Sequence, residues 1–348
     1  MNRNLCSHIL FCAISLFAPL AASAITIPTV PVGNTGNVND PSDGDFGTAG
    51  IQNFGAVASA YRIGTTEVTN AQYAAFLTEK AKSDPLGLYD TLMGSDARGG
   101  ITQSGVSGSF TYAAKTDMGN KPVNHVGWFD SIRFANWLHN GQGTGDTETG
   151  AYTLLGGTAQ PSNGLSITRE PGATWFLASE NEWYKAAYHQ PAGQQSDTDD
   201  YWLYPTASNS VPTMATAINL AGPTRGDIGN PGTNVANFNL GADWNGQDGN
   251  VTTVGSAGLL SQSFYGTSDQ GGNVWEWNEE LIGPWRGIRG GSWFNVSFHL
   301  QSSSRGSYDP RFGVYDIGFR VATVPEPGTG VLAVVACGLM WVLRKWFK

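Results

Sequence analysis

The stretch Gly272-Asn273-Val274-Trp275-Glu276-Trp277 decides the fold of this chain, because it sets a carboxylate between two tryptophans just after a glycine turn. Indole rings bury large apolar areas, so both tryptophans are expected in the core. A carboxylate between buried indoles is costly unless it meets a cation or several hydrogen-bond donors. We therefore expect Glu276 to meet a cation or several donors.

Five other segments accompany this stretch in a fixed order along the chain. They are IGTTEVTNAQY at 63–73, KPVNHVGW at 121–128, LASENEW at 177–183, RGGSW at 289–293 and GFRVA at 318–322. Together with the first stretch they resemble the formylglycine-generating enzyme, or sulfatase-modifying factor, family. The resemblance runs from about residue 60 to residue 322. It implies a single loop-rich α+β domain with few short helices and strands, distantly like C-type lectins.

Local signals agree with such a domain at 60–323. The chain has 46 glycines among 348 residues, which permits many positive-φ turns. Residues 25–59 are expected to form an extended lead-in with at most one strand. Polar stretches at 84–120, 141–170 and 190–235 look like insertions or long loops, which usually carry function or need an organising device such as an ion.

Three helices are predicted from their starting signals. Thr69 begins a T-x-x-Q capping box, and a second helix is expected to start near Trp128 and to end at Asn140-Gly141. A third helix is expected after Ser179. Its capping box and its N-terminus account for the two acidic residues Glu180 and Glu182.

The first residues predict a secretion signal at 1–24. Arg3 precedes an apolar run at 5–20, and Ala22-Ser23-Ala24 is a small-residue cleavage site. The expected mature chain begins at Ile25. The protein is therefore predicted to be exported.

The last residues, 324–348, predict a sorting tail. V-P-E-P at 324–327 precedes an apolar run at 328–343, and a basic end follows. This order resembles the PEP-CTERM signal of Gram-negative bacteria that make exopolysaccharide. The resemblance implies a transmembrane helix, an exosortase-type sorting enzyme as partner, and a location at the cell surface, on the membrane outside the cytoplasm or in the extracellular matrix. The alternative is an ordinary single-span anchor, which would also hold the domain outside the cytoplasm.

Charge and cysteine content exclude two classes of function. The net charge of −9 argues against a nucleic-acid partner, which requires a basic face. Cys6 and Cys12 fall in the predicted signal and Cys337 falls in the predicted tail helix. The exported domain therefore has neither a disulfide nor a thiol for catalysis.

The family resemblance implies two structural calcium sites. One would use the side chains of Asp269 and Glu276 with the carbonyls of Gly272 and Val274. The second would use the side chains of Asn237 and Asp248 with the carbonyls of Phe238 and Asn250. Oxygen ligands of this kind suit Ca²⁺. The alternatives are a hydrogen-bonded structural carboxylate for Glu276 and an Asx turn for Asp248.

The catalytic residues of the family are missing. Its oxidase members carry two cysteines shortly after the Gly-Gly-Ser motif and use copper, and the matching positions are Asn295 and Leu300. Soft Cu(I) requires sulfur ligands, so no copper is predicted. The alternative is an oxidoreductase-type enzyme of the same superfamily with a non-cysteine mechanism, for example one with nonheme iron. The mature chain offers four histidines for such a site, which are His125, His139, His189 and His299.

The segment after Ser292 is rich in aromatic and small polar residues without helix or strand periodicity. Such mixtures are typical of binding surfaces. Eight residues of the segment form the predicted ligand surface: Phe294, Asn295, Phe298, His299, Tyr308, Arg311, Phe312 and Tyr315. The alternative is that these aromatics fill a loop-rich core, as we expect for Trp293 and Phe319. The sequence thus favours a calcium-stabilised binding or structural module, with a protein or polysaccharide as ligand.

Overall fold

The computed structural model describes residues 24–41, 53–193 and 199–325. The predicted signal up to Ser23 and the predicted span at 328–343 lie outside the described residues. Among the residues that are described, no helix is both long enough and apolar enough to cross a membrane.

The domain consists of short elements joined by long loops, as expected for an α+β fold rich in glycine. In the described ranges the helices are α1 Asn70–Lys80, α2 Leu92–Ser95, α3 Trp128–His139 and α4 Glu180–Tyr188. The strands are β1 Thr29–Val32, β2 Tyr61–Gly64, β3 Ile101–Ser104, β4 Thr111–Ala114, β5 Trp175–Leu177, β6 Thr213–Met214, β7 Val235–Ala236, β8 Trp275–Ile282, β9 Trp285–Arg289, β10 Gly306–Tyr308, β11 Ile317–Gly318 and β12 Val321–Thr323.

One four-stranded sheet joins the two ends of the domain in the order β1-β2-β12-β5. The strand β1 lies in the lead-in and pairs antiparallel with β2, with Val30 opposite Ile63. The last strand, β12, lies between β2 and β5. The lead-in is therefore a structural part of the domain. Its first described residues are also held, because the Gln142 side chain bonds both the N–H and the carbonyl of Ile25.

The second four-stranded sheet has the order β10-β9-β8-β11 and carries the fold-deciding stretch. The strands β8 and β9 form a hairpin that turns at Gly283-Pro284. Residues alternate between the two faces of a strand, so Trp275 and Trp277 share one face of β8 and Glu276 faces the other way. Both tryptophans are buried, as predicted.

The three predicted helices begin at the expected positions, two of them at capping boxes. Thr69 and Gln72 form a reciprocal capping box at α1, and Ser179 and Glu182 form one at α4. Helix α3 ends at His139, with Asn140 as its C-terminal cap. Local hydrogen bonds decide these boundaries, which is why the sequence could predict them.

Large aromatic side chains fill the core between the two sheets and the helices. Tyr73, Phe76, Phe134 and Phe319 pack ring against ring in the main cluster. Trp293 lies in a smaller cluster with Val274 and is also buried. The predictions that Phe319 and Trp293 are core residues are confirmed.

Candidate functional site

Glu276 is completely buried and meets a cation from the same chain. The Arg320 guanidinium donates from Nε to Oε2 and from Nη2 to Oε1, each at 2.5 Å. The Trp183 indole Nε1 donates to Oε2 at 2.7 Å. Both carboxylate oxygens are therefore satisfied without a metal ion. The indole that contacts Glu276 comes from α4 and not from either neighbouring tryptophan.

Two further carboxylates lie in the electrostatic field of Arg320. Burial raises the pKa of Asp269 to about 6, and burial together with the charge of Asp269 raises the pKa of Glu67 well above its ordinary value. Glu67 Oε1 accepts a bond from the Asn273 side chain, and Oε2 is buried without a hydrogen-bond partner among the described residues. Three carboxylates thus surround one guanidinium, and the region favours an added proton or cation.

The first predicted calcium set lies along one tight turn. Asp269 and Gly272 both have positive φ, and Gly272 packs so closely on Asn237 that a Cβ would lie 2.1 Å from its carbonyl oxygen. Asp269 Oδ2 accepts the backbone N–H of Gly255. Arg320 and Trp183 already supply three hydrogen bonds to the Glu276 carboxylate, two to Oε2 and one to Oε1. The hydrogen bonds match the alternative interpretation of Glu276 as a structural carboxylate.

In the second predicted calcium set, the Asn237 side-chain amide lies close to three oxygen atoms. The Asn237 amide nitrogen lies 2.9 Å from the Asn250 carbonyl oxygen, 3.2 Å from Thr252 Oγ1 and 3.2 Å from Asn273 Oδ1. Asn237 Oδ1 is buried and has no hydrogen-bond partner within the described ranges. Rotating the Asn237 side-chain amide by half a turn would place Oδ1 close to those three oxygen atoms. This arrangement fits a hard cation.

The remaining members of that second set are less well placed. The Asp248 side chain is exposed, and the backbone carbonyl of Asp248 accepts a hydrogen bond from Arg98. The Phe238 carbonyl accepts the N–H of Gly241. In the part of the chain that is described, no three side chains of His, Cys, Asp or Glu converge as a metal site.

The four histidines among the described residues contact different neighbours. His125 lies 3.5 Å from Asp96 in the core, and His139 bonds Thr174 at the end of α3. His189 bonds Tyr265, and the His299 ring packs against Trp275. The four histidines therefore have no neighbour in common among these contacts. The arrangement therefore offers no support for a histidine-rich iron site.

The two positions that match catalytic cysteines have structural roles. Asn295 Oδ1 accepts bonds from the Ser292 backbone N–H and from its hydroxyl, which closes a turn. Leu300 is 0% exposed and packs with Tyr204, Ala236 and Phe238. Neither residue presents a reactive group to solvent.

Part of the predicted ligand surface is an exposed aromatic group. Phe294 and Tyr315 pack on Trp293, and both leave much of their rings in solvent. The Arg98 guanidinium stacks on Trp293 at 4.4 Å from the ring centre and also binds the carbonyls of Asp248 and Gly249. Arg98 has no local motif and was not predicted from the sequence. We call Arg98, Trp293, Phe294 and Tyr315 the aromatic patch.

The other predicted surface residues do not join this patch through ring contacts. Phe298 and His299 are half-buried and pack against each other. Tyr308 is exposed on β10, opposite Arg286 of β9. Arg311 stacks on the exposed ring of Phe312 and forms a two-point ion pair with Asp309.

A cleft of about 680 Å³ opens beside Arg311. Residues 160–166, the hairpin tip at Pro284 and Trp285, and residues 309–311 form its walls, and Phe129 closes its floor. Trp285 is 48% exposed. We call this feature the Trp285 cleft. The loop at 141–170 and Arg311 were predicted from the sequence. Trp285 was not, because three distant segments meet only in the folded chain.

The comparisons with known proteins agree on one fold. The family model of the sulfatase-modifying factor enzyme 1-like domain matches residues 45–324. Among solved structures, CarF shares 22% identity over 87% of this chain and 100% of its own, with a TM-score of 0.52. Treponema denticola variable protein 1 shares 17% identity over 87% of this chain and 97% of its own, with a TM-score of 0.49.

A third solved structure, PvdO from Pseudomonas aeruginosa, is similar at 17% identity over 84% of this chain and 100% of its own, with a TM-score of 0.41. No curated protein sequence is significantly similar to this chain. At such identities the structural likeness concerns the fold alone. The family match covers most of the chain and includes the Glu276–Arg320 centre, and the chain belongs to the sulfatase-modifying factor enzyme 1-like family.

Proposed function

We propose that this protein is a non-catalytic, ligand-binding member of its family. The proposal rests on the two positions that match the catalytic cysteines of the family. There Asn295 closes a turn and Leu300 packs in the core. Thiol-dependent oxidation requires a thiolate, and the sequence has no cysteine between Cys12 and Cys337. The fold is retained without that chemistry, and its exposed aromatic patch is suited to recognition.

The aromatic patch supports binding because it is both rigid and accessible. Arg98 stacks on Trp293 and fixes the neighbouring loop through two carbonyls. Phe294 and Tyr315 contact each other and pack on the held Trp293 ring. Aromatic groups held in this way lose little entropy when a ligand covers them.

We further propose that calcium stabilises the loops below this patch. Asn237 supports the assignment through its unpartnered buried oxygen and its closeness to the Asn250 carbonyl. The Arg98 contacts to Asp248 and Gly249 would connect the ion-binding loop to Trp293. When bound, calcium would supply positive charge to oxygen ligands and perform no chemistry.

Export and attachment complete the proposal. The order of features at 1–24 and 324–348 supports secretion followed by sorting through an exosortase-type enzyme. The strand β12 ends at Thr323, directly before the V-P-E-P motif. The domain would act at the cell surface or in the surrounding matrix.

Oxygen consumption tests the absence of catalysis. The purified protein is supplied with copper and a cysteine-containing sulfatase peptide in an oxygen electrode, and the peptide is then examined by mass spectrometry. We expect no oxygen uptake above the copper-only control and no aldehyde product. Turnover of the peptide to its aldehyde would refute the proposal.

A further inference from the structure

We propose that the Trp285 cleft binds a neutral oligosaccharide chain by stacking a sugar ring on Trp285. The inference rests on the proposed binding function and names both a site and a ligand class. The cleft and the aromatic patch are different surfaces, although residues 309–311 of the cleft are close in sequence to Tyr315 of the patch. The supporting observations are the rigidity, the charge and the chemistry of the walls.

The first wall is fixed by hydrogen bonds of Asn163 and Arg133 to the backbone of the loop. Asn163 accepts the N–H of Leu155 and donates to the carbonyl of Thr153, which closes the loop at 153–163. Arg133 donates to the carbonyls of Thr158 and Ala159. A loop that is tied at both ends loses little freedom on binding.

The other two walls are tied to the same core. Arg286, next to Trp285, stacks on Trp128 at 3.8 Å and donates to the Ile167 carbonyl, so it links the hairpin to the first wall. The Pro310 carbonyl accepts the N–H of Trp128 at the start of α3. The three walls therefore hold their spacing without a ligand.

The cleft carries no net charge. Asp309 and Arg311 are the charged residues that line it, and they neutralise each other through bonds of 2.8 Å and 2.5 Å. A phosphorylated or strongly acidic ligand would have no unpaired cation to bind. The electrostatics thus favour a neutral ligand.

The lining combines one apolar face with polar edges. Trp285 presents a half-exposed ring, whereas Ser162 and Ser166 donate to backbone carbonyls and keep their lone pairs to accept bonds. The side-chain amide of Gln160 forms no hydrogen bond within the described residues and can donate and accept. A sugar ring has the same division, with a C–H face and a hydroxyl edge.

A proline-rich peptide fits this cleft less well. Grooves that read such peptides are lined by several aromatic rings. Here Trp285 is the exposed ring, since Phe129 at the floor is 5% exposed. The volume of about 680 Å³ lies in the usual range of ligand sites and suits a short length of oligosaccharide.

The test measures binding of four probes to the purified full chain by isothermal titration calorimetry. The probes are the pentaoses of cellulose, laminarin, amylose and chitin. We expect at least one to bind, and we expect Trp285→Ala to weaken it by about tenfold or more through loss of stacking. Gln160→Ala should weaken it less. Trp285 is exposed, so the thermal melt of Trp285→Ala should match that of the wild type and separate binding from folding.

Phe264→Ala, at an exposed aromatic residue outside both the cleft and the aromatic patch, is the matched control and should leave sugar affinity unchanged. If a sugar binds and Phe294→Ala in the aromatic patch removes it while Trp285→Ala does not, the cleft assignment is overturned and the proposed binding function stands. Absence of binding by all four probes overturns the saccharide assignment. So does a proline-rich peptide that binds in a Trp285-dependent way when the sugars do not.

Discussion

Arg320 and Glu276 form a two-point ion pair in which neither side chain is exposed to solvent. The pair joins the GFRVA segment to the start of β8, and Arg320 also donates to the carbonyls of Gly64 and Ser268. A single guanidinium therefore connects β2, the turn before β8 and the last strand. The family motifs that lie far apart in sequence meet at this pair.

Glu276→Gln is expected to lower the free energy of unfolding by about 3–5 kcal/mol, because it leaves the Arg320 charge buried without its counterion. Urea unfolding monitored by circular dichroism measures the change. Asp309→Asn is the matched control, since it removes a two-point pair to Arg311 at the surface. That substitution should cost no more than about 1 kcal/mol. Equal losses in the two variants would contradict the role assigned to burial.

Chelation is expected to lower the melting temperature, because an ion that binds only the folded state stabilises it by mass action. The expected difference is about 2.7 kcal/mol at a calcium concentration 100 times the dissociation constant. Melting curves in EGTA and in excess calcium measure it. Asn237→Ala should remove the difference, whereas Glu276→Gln should retain it. A melt that chelation leaves unchanged in the wild type would exclude the calcium site.

Leu300→Ala is expected to cost about 2–4 kcal/mol, since it opens a cavity among Tyr204, Ala236 and Phe238. Asn295→Ala removes hydrogen bonds in a half-buried turn and should cost about 1 kcal/mol. Chemical denaturation of both variants gives the comparison. Leu300→Ala without effect on stability would show that the position is not a core position and would reopen a catalytic interpretation.

His189 is expected to contribute a loss of stability as the pH falls from 6.5 to 4. The raised pKa values of Asp130 and Asp269 act in the opposite direction. Burial and the nearby charge of Lys185 lower the pKa of His189 to about 4, compared with an ordinary value of about 6.5. In this range the unfolded chain binds a proton that the folded chain does not. The contribution of His189 to the free energy of unfolding is therefore fully present above pH 6.5 and is lost as the pH falls towards 4.

His189→Gln should flatten this dependence, with a difference on the order of 2 kcal/mol between pH 7 and pH 4.5. Urea unfolding of wild type and variant at both values measures it. Identical slopes for His189→Gln and the wild type would contradict the assignment.

Local features were predictable because their physics is local. The capping boxes at Thr69 and Ser179 involve residues three positions apart, and both formed as expected. The buried state of Trp275 and Trp277 follows from the size of the indole. By contrast, Glu180 was explained only as a helix-start residue. It is in fact buried between Arg289 and Arg305, with which it forms ion pairs.

The sequence by itself determined the family, the α+β class, the helix starts and the absence of a thiol in the folded domain, because each depends on residue types or on short spacings. Only the tertiary structure decided which group neutralises Glu276 and where a cleft opens. Arg320 is 44 residues from Glu276, and the walls of the Trp285 cleft come from three separate segments. Contacts of this kind arise only after the chain has closed its long loops, so no local pattern records them.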